Sequence, residues 1–207
     1  MKTVAIISQK GGAGKTTLSA HLAVAAERRN ISVAVLDIDP QASVSEWKDS
    51  REGDSPSVTS IQSSRIAKAL EVAESAGAAL VLIDSAPHSA EAAVLAAEAA
   101  DLILIPTRAG ILDLRAIGKT VRILKVAGKP AFVVLNAIPP NSPRIVEDAK
   151  AAVDTHGVPV APVILHQRSA YTHALTAGLT AEEYEPDGKA AEEVGELFKW
   201  LANLLKL

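Results

Sequence analysis

The chain is 207 residues long, 48% hydrophobic and 22% charged, with a formal net charge of -3; that length and balance suit one domain with a core of its own. It has zero cysteines, which excludes disulfide scaffolds, iron–sulfur clusters, thiolate zinc sites and cysteine nucleophiles. A charge this near neutrality excludes a uniformly basic nucleic-acid binder, so any such contact must use a local patch.

Short apolar runs rich in β-branched residues predict strands at residues 3–8, 32–37, 79–84, 101–105, 131–136 and 158–165. The runs are continuous rather than alternating, so each strand is expected to be buried on both faces. Helix-favouring, mostly Ala-rich segments at residues 17–29, 66–76, 90–99, 112–127 and 144–155 predict crossover helices. Strand alternating with helix predicts an α/β fold, a single domain over residues 1–207 with a mostly parallel twisted sheet and helices on both faces. Residues 49–57 and 139–143 read as loops. No apolar run reaches the ~18 residues that a bilayer span needs. Met1-Lys2 leads into a strand-like run rather than a signal peptide, so a cytoplasmic protein is expected.

Between the first predicted strand and helix stands Gln9-Lys10-Gly11-Gly12-Ala13-Gly14-Lys15-Thr16-Thr17. Glycines there let the backbone turn its N–H groups towards phosphate oxygens, and the helix N-terminus adds partial positive charge. Lys15 is placed to reach the β- and γ-phosphates, and the Thr16 hydroxyl to meet Mg²⁺. Where the ordinary phosphate loop begins with glycine, Gln9 stands instead. A dinucleotide fingerprint fails because Thr17 occupies its third glycine position.

Lys10-Gly11-Gly12-Ala13-Gly14-Lys15-Thr16-Thr17 resembles the deviant Walker A motif of the ParA/MinD ATPases. The resemblance implies a P-loop ATPase fold, ATP and Mg²⁺ as cofactors, and a nucleotide cradle running from Lys10 to Thr17. It also implies an ATP-dependent homodimer in which Lys10 reaches the partner's nucleotide. A second cation beside the phosphates would stabilise charge developing in phosphoryl transfer. A lysine merely solvated at the head of a loop would look the same in sequence.

Asp37-Ile38-Asp39-Pro40-Gln41 follows the second predicted strand, and strand alternation aims Asp37 and Asp39 to one side of the sheet's carboxyl end, where ligands of open α/β sheets bind. The segment is similar to the family's second motif, whose latter aspartate, Asp39, positions the hydrolytic water and leaves Asp37 nearer the magnesium shell. Asp84, after Leu80-Val81-Leu82-Ile83, resembles the Walker B aspartate. The expected catalytic residues are therefore Lys10, Lys15 and Asp39, and the expected metal residues Thr16, Asp37 and Asp84. Ser85-Ala86-Pro87-His88 departs from the Asp-Thr-Pro-Pro frequent in relatives, and His88 reads as an exposed loop histidine. Asn136 closes a predicted strand where many relatives carry an adenine-reading asparagine; the residues after it also form a turn sequence.

Helical spacing puts Arg115, Lys119 and Arg122 on one stripe with Ile117, Val121 and Leu124 opposite. A solvated helix face would carry the same charges. The resemblance implies that ATP-bound dimers of the partition branch bind DNA without sequence preference, so this stripe is the candidate DNA surface, with Arg144, Lys150 and Arg168 as possible extensions. It further implies a centromere-binding adaptor that stimulates hydrolysis, and a nucleoid-associated location. The last helix has an apolar face of Val194, Leu197, Phe198, Leu201, Leu204 and Leu205 behind an acidic approach, which suits docking on the body better than a membrane anchor. The expected function is a ParA-type ATPase for plasmid or chromosome partition. The alternatives are a MinD-like membrane-surface division ATPase and an ATP-dependent ligase of the dethiobiotin-synthetase type; Lys10 and Asp39 argue against the ligase.

Overall fold

The computed structural model describes residues 1–207. In chain order its elements are β1 Lys2–Ile6, α1 Lys15–Glu27, β2 Val33–Asp37, α2 Ser43–Asp49, β3 Ser57–Ser60, α3 Ile66–Ser75, β4 Leu80–Asp84, α4 Ala90–Ala99, β5 Leu102–Thr107, α5 Ile111–Leu124, β6 Ala131–Leu135, α6 Pro143–Asp154, α7 Ser169–Thr176, α8 Ala181–Tyr184 and α9 Lys189–Leu205. The six strands form one sheet in the order β3-β2-β4-β1-β5-β6. Every pairing is parallel.

Alternation along each strand divides the core in two. Val4, Ile6, Leu80 and Leu82 face the side covered by α1, α2 and α9, where Leu22, Trp47 and Phe198 meet them. Their neighbours Ala5, Ile7, Val81 and Ile83 face α3 to α6 through Ala93, Ile117 and Val153. A strand covered on both sides needs no polar face, which is why these runs are continuously apolar. Each fully buried Leu or Ile contributes about 1.5–3 kcal/mol.

Two expectations need correction. Residues 158–165 form no regular strand; they run beside β6 through isolated bridges, Val133 to Val160 and Ile138 to His166. Pro159 and Pro162 lack the N–H that a continuous ladder requires, although Ala161 N–H still donates to Val133 O at 2.8 Å. The sixth strand is instead β3, a polar edge strand that pairs only with β2.

Because all strands run the same way, the loops after β1, β2, β4, β5 and β6 gather at one edge. The loop after β2 is held from behind by α2. Trp47 Nε1 donates to Leu179 O at 3.3 Å, and Arg51 donates to both Glu183 oxygens at 2.7 and 2.9 Å. Gly178, at φ +70, lets these segments meet, since a Cβ there would lie 2.4 Å from Ser50 O.

Candidate nucleotide site

The phosphate loop leaves β1 tied to two neighbouring elements. Gln9, 5% exposed, donates its backbone N–H to Thr120 Oγ1 of α5 and its Nε2 to Ser89 O, both at 3.3 Å. Ser89 in turn caps α4 by accepting from Ala92 N–H. The residue that replaces the usual first glycine is thus an anchor for the loop. Gly14 (φ +95) then turns the backbone into α1, and a Cβ on it would sit 2.0 Å from Asn136 Nδ2. No side chain caps α1, so its first-turn N–H groups are free to meet an anion.

Lys15 is buried at the base of this loop and makes no ion pair within the chain. Burial lowers its pKa, while the nearby charges of Asp84 and Asp39 oppose that. Thr16 Oγ1 donates to Asp84 Oδ2 at 2.9 Å, and Asp84 Oδ1 is buried with no partner. Burial pushes the Asp84 carboxyl up to about 7; Thr16 and Lys15 pull the other way, and Asp37 and Asp39 add to the rise. A carboxyl raised in this manner makes the ligand-free fold lose stability as pH rises through its titration, because the unfolded chain releases that proton earlier. An orphaned buried carboxylate oxygen beside a threonine hydroxyl fits a hard cation that arrives with phosphate and keeps much of its water.

Asp37 lies opposite Asp84 in the β2–β4 register, but its oxygens are occupied. Oδ1 accepts from Asp39 N–H at 3.1 Å, and Oδ2 from Ser45 N–H and Oγ at 3.1 and 3.0 Å. Burial raises its pKa against those hydrogen bonds. Asp37 therefore ties the loop to the first turn of α2. Asp39 accepts only from Gln41 N–H, through Oδ1 at 2.9 Å, and borders a cleft lined by Pro40, Ser60, Gln62 and Ser89.

Asn136 donates from Nδ2 to Ala13 O at 2.8 Å, buttressing the phosphate loop, and its Oδ1 accepts from Ala137 N–H at 2.9 Å. It also lines a pocket of about 330 Å³ with Gly14, Thr17, Arg108, Arg168 and Tyr171. Lys10 is half-buried at the rim, between Gln9 below and exposed Gly11 and Gly12, and forms no ion pair. His88 is exposed, at φ +61, with its ring against Gly11.

On α5, Arg115, Lys119 and Arg122 are exposed while Ile117, Val121 and Leu124 are buried. Thr120, on the buried side, is the residue that holds Gln9, so the cation stripe faces away from the phosphate loop. Arg168, named above as an extension of that stripe, is engaged elsewhere. Its Nε and Nη2 are committed to Glu193 Oε1 at 3.0 and 2.6 Å, a tertiary contact that sequence spacing does not announce. On α9, Val194, Leu197, Phe198, Leu201 and Leu205 are buried in the body, and only Leu204 of the predicted apolar face is exposed. Thr120, Ser89 and Glu193 are not marked by the sequence because each acts through a partner distant in the chain; Ser45 bonds Asp37 eight residues before it, across a loop that carries no spacing signal.

The sequence pattern described as the CobQ/CobB/MinD/ParA nucleotide binding domain matches residues 4–180. Two proteins named Maintenance of carboxysome distribution protein A are each 30% identical to the chain. The one from Gloeobacter kilaueensis aligns over 99% of this chain and 94% of its own length; the one from Halothiobacillus neapolitanus aligns over 94% of both. Among solved structures, the septum site-determining protein MinD of Pyrococcus horikoshii, complexed with Mg-ADP, has the same fold, with a TM-score of 0.77 at 20% identity over 99% of this chain and 97% of that one. The deviant phosphate loop and the parallel sheet that carries it are thus found in a chain that belongs to the CobQ/CobB/MinD/ParA nucleotide-binding domain family.

Proposed function

We propose that the protein is an ATP-driven positioning switch, in which ATP and Mg²⁺ bind at residues 10–17, a homodimer closes over the nucleotides and grips DNA, and hydrolysis releases it. The observation that carries this reading is the contrast between two lysines. Lys15 is buried beneath its own loop, whereas Lys10 stands at the rim with no carboxylate of its chain paired to it. A buried cation serves the nucleotide of its own protomer; a rim cation without a partner suits phosphates that arrive with a second protomer.

In this scheme the loop's backbone N–H groups and Lys15 bind the phosphates, and Thr16 with Asp84 holds the metal side. Asp37 keeps the following loop in place through Ser45. Asp39, with one oxygen free of hydrogen bonds, orients the attacking water. Asn136 and the pocket beside it receive the nucleoside. Mg²⁺ bound with ATP would neutralise charge on the β- and γ-phosphates. The relatives' name, carboxysome distribution, favours a protein assembly as cargo beside the plasmid or chromosome expected of the partition branch. An adaptor that stimulates hydrolysis and a place on the nucleoid belong to the same reading. The membrane alternative loses support because α9 spends its apolar face on the core.

Analytical ultracentrifugation tests the dimer. Wild type should sediment as a dimer with MgATP and as a monomer with MgADP. Lys10→Ala should stay monomeric in both while binding ATP within about threefold of wild type, because the in-chain contacts to phosphate remain. A stable ATP dimer of this variant would remove Lys10 from its trans role.

The DNA surface has its own test. Changing Arg115, Lys119 and Arg122 together to Glu should abolish binding to unrelated duplexes and leave monomer ATP affinity unchanged. Wild-type binding should need ATP and fall steeply as salt rises, since each neutralised phosphate releases counterions. Electrophoretic shift with scrambled duplexes reads both; full binding by the triple variant would move the DNA surface elsewhere.

A further inference from the structure

The wall of the 330 Å³ pocket farthest from the phosphate loop in sequence is held by a single carboxylate. Glu193, on α9, accepts from His166 N–H at 3.0 Å, His166 Nδ1 at 2.8 Å, Arg168 Nε and Nη2 at 3.0 and 2.6 Å, and the Tyr171 hydroxyl at 3.2 Å. All three donor residues line the pocket. Burial alone would raise the Glu193 pKa, but Arg168 and His166 outweigh it and hold the carboxyl below its usual range. It is therefore a fixed anion at neutral pH.

The clamp continues to the phosphate loop. Tyr171 meets the His21 ring edge-on, with centroids 5.1 Å apart. His21 Nδ1 donates to Thr17 O at 2.7 Å, one turn along α1 from the loop. Burial keeps His21 neutral, with its pKa lowered to about 4, so this ring joins the pocket floor to the clamp without adding charge. Within the clamped segment, Gln167 turns its backbone N–H to Ile138 O. Gln167 is exposed and lines the pocket, and its side-chain amide can both donate and accept.

We propose that Glu193 is a positioning residue for the base of the bound nucleotide: by gathering His166, Arg168 and Tyr171 it fixes the pocket wall, and with it the Gln167 amide, at the distance where a purine edge is read. The proposal rests on the nucleotide reading of the phosphate loop given above. A pocket of about 330 Å³ lies at the lower end of the ~300–1,000 Å³ found for small-molecule sites, which suits a nucleoside. Discrimination between adenine and guanine needs groups held rigidly, because a wall that drifts can pair with either edge.

The test compares ATP, GTP and inorganic tripolyphosphate, each with Mg²⁺, on the full chain by competition against a fluorescent ATP analogue. Wild type should prefer ATP to GTP. Glu193→Gln, which introduces an amide donor against Arg168, should weaken ATP about tenfold, bring the ATP:GTP ratio towards one and leave tripolyphosphate affinity unchanged, since that ligand has no base. Glu193→Ala should behave alike. If Glu193 only fastens α9 to the body, the variants melt earlier with the ATP:GTP ratio intact, and the proposal falls. It also falls if wild type does not distinguish the two purines. Should the Glu193 variants not fold, Arg168→Gln removes two of the five bonds and leaves His166 and Tyr171 on the carboxylate; its ATP:GTP ratio should move towards one, and an unchanged ratio would overturn the proposal. Failure of the nucleotide reading is separable, because then tripolyphosphate would not displace the ATP analogue from wild type at all.

Discussion

Lys15→Ala is expected to weaken MgATP binding by about 100-fold or more while the protein still folds. The lysine is buried beneath the phosphate loop, where a charge-assisted contact to phosphate forms in a partly desolvated setting and is worth about 1.5–3 kcal/mol or more. Loss of the ammonium leaves the negative phosphates facing Asp84 and Asp39, the two carboxylates that now act on Lys15. The ligand-free variant should not suffer in proportion. Burial disfavours the lysine's charged form, and Asp84, already pushed up to about 7, takes a proton when the cation is gone. Thermal melting with and without MgATP separates the two effects. Wild type should gain about 2.7 kcal/mol at a ligand concentration 100 times the dissociation constant; Lys15→Ala should gain almost nothing under the same conditions. A wild-type response from the variant would remove Lys15 from the site.

Asp39→Ala should separate binding from turnover, with ATP affinity within about threefold of wild type and hydrolysis slower by roughly 100-fold or more, the usual worth of a positioned acid or base. The geometry supports a clean separation. The loop that carries Asp39 is organised by Asp37 through Ser45 and the Asp39 backbone N–H, so removing the Asp39 side chain deletes one local hydrogen bond, to Gln41 N–H, and leaves that frame standing. The ATP dimer should therefore accumulate and hold DNA persistently. Light scattering and phosphate release, measured on one sample, check it. Normal turnover, or a variant that cannot dimerise, would contradict the assigned role.

The phosphate loop was legible because its chemistry constrains the backbone: glycines, lysine and threonine in that order between a strand and a helix leave little else for the segment to be. The double-faced core was legible for a similar reason, since continuous apolar strands have nowhere to lie but between two layers. β3 was not, because Ser57-Val58-Thr59-Ser60 has only one apolar residue; its pairing with β2 comes from the sheet rather than from propensity. Residues 158–165 misled in the opposite way. They are apolar and β-branched enough for a strand, yet Pro159 and Pro162 break the ladder. α2 was missed because it is seven residues long and depends on Asp37 at its start and on Leu179 and Glu183 at its end. The pocket wall was missed because Glu193 reaches back across the chain to residues 166–171.

The two margins of the sheet bear on how copies of this protein can meet. One margin is β3, four residues long and mostly hydroxylic; the other, beyond β6, is shielded by the proline-interrupted segment. Neither offers a long row of unpaired backbone groups, so strand addition from another copy, the common route to sheet-driven aggregation, is disfavoured at both ends. Any reversible self-association, such as the ATP dimer proposed above, would then have to use surfaces other than the sheet margins, out of reach of a strand-to-strand contact that reverses poorly.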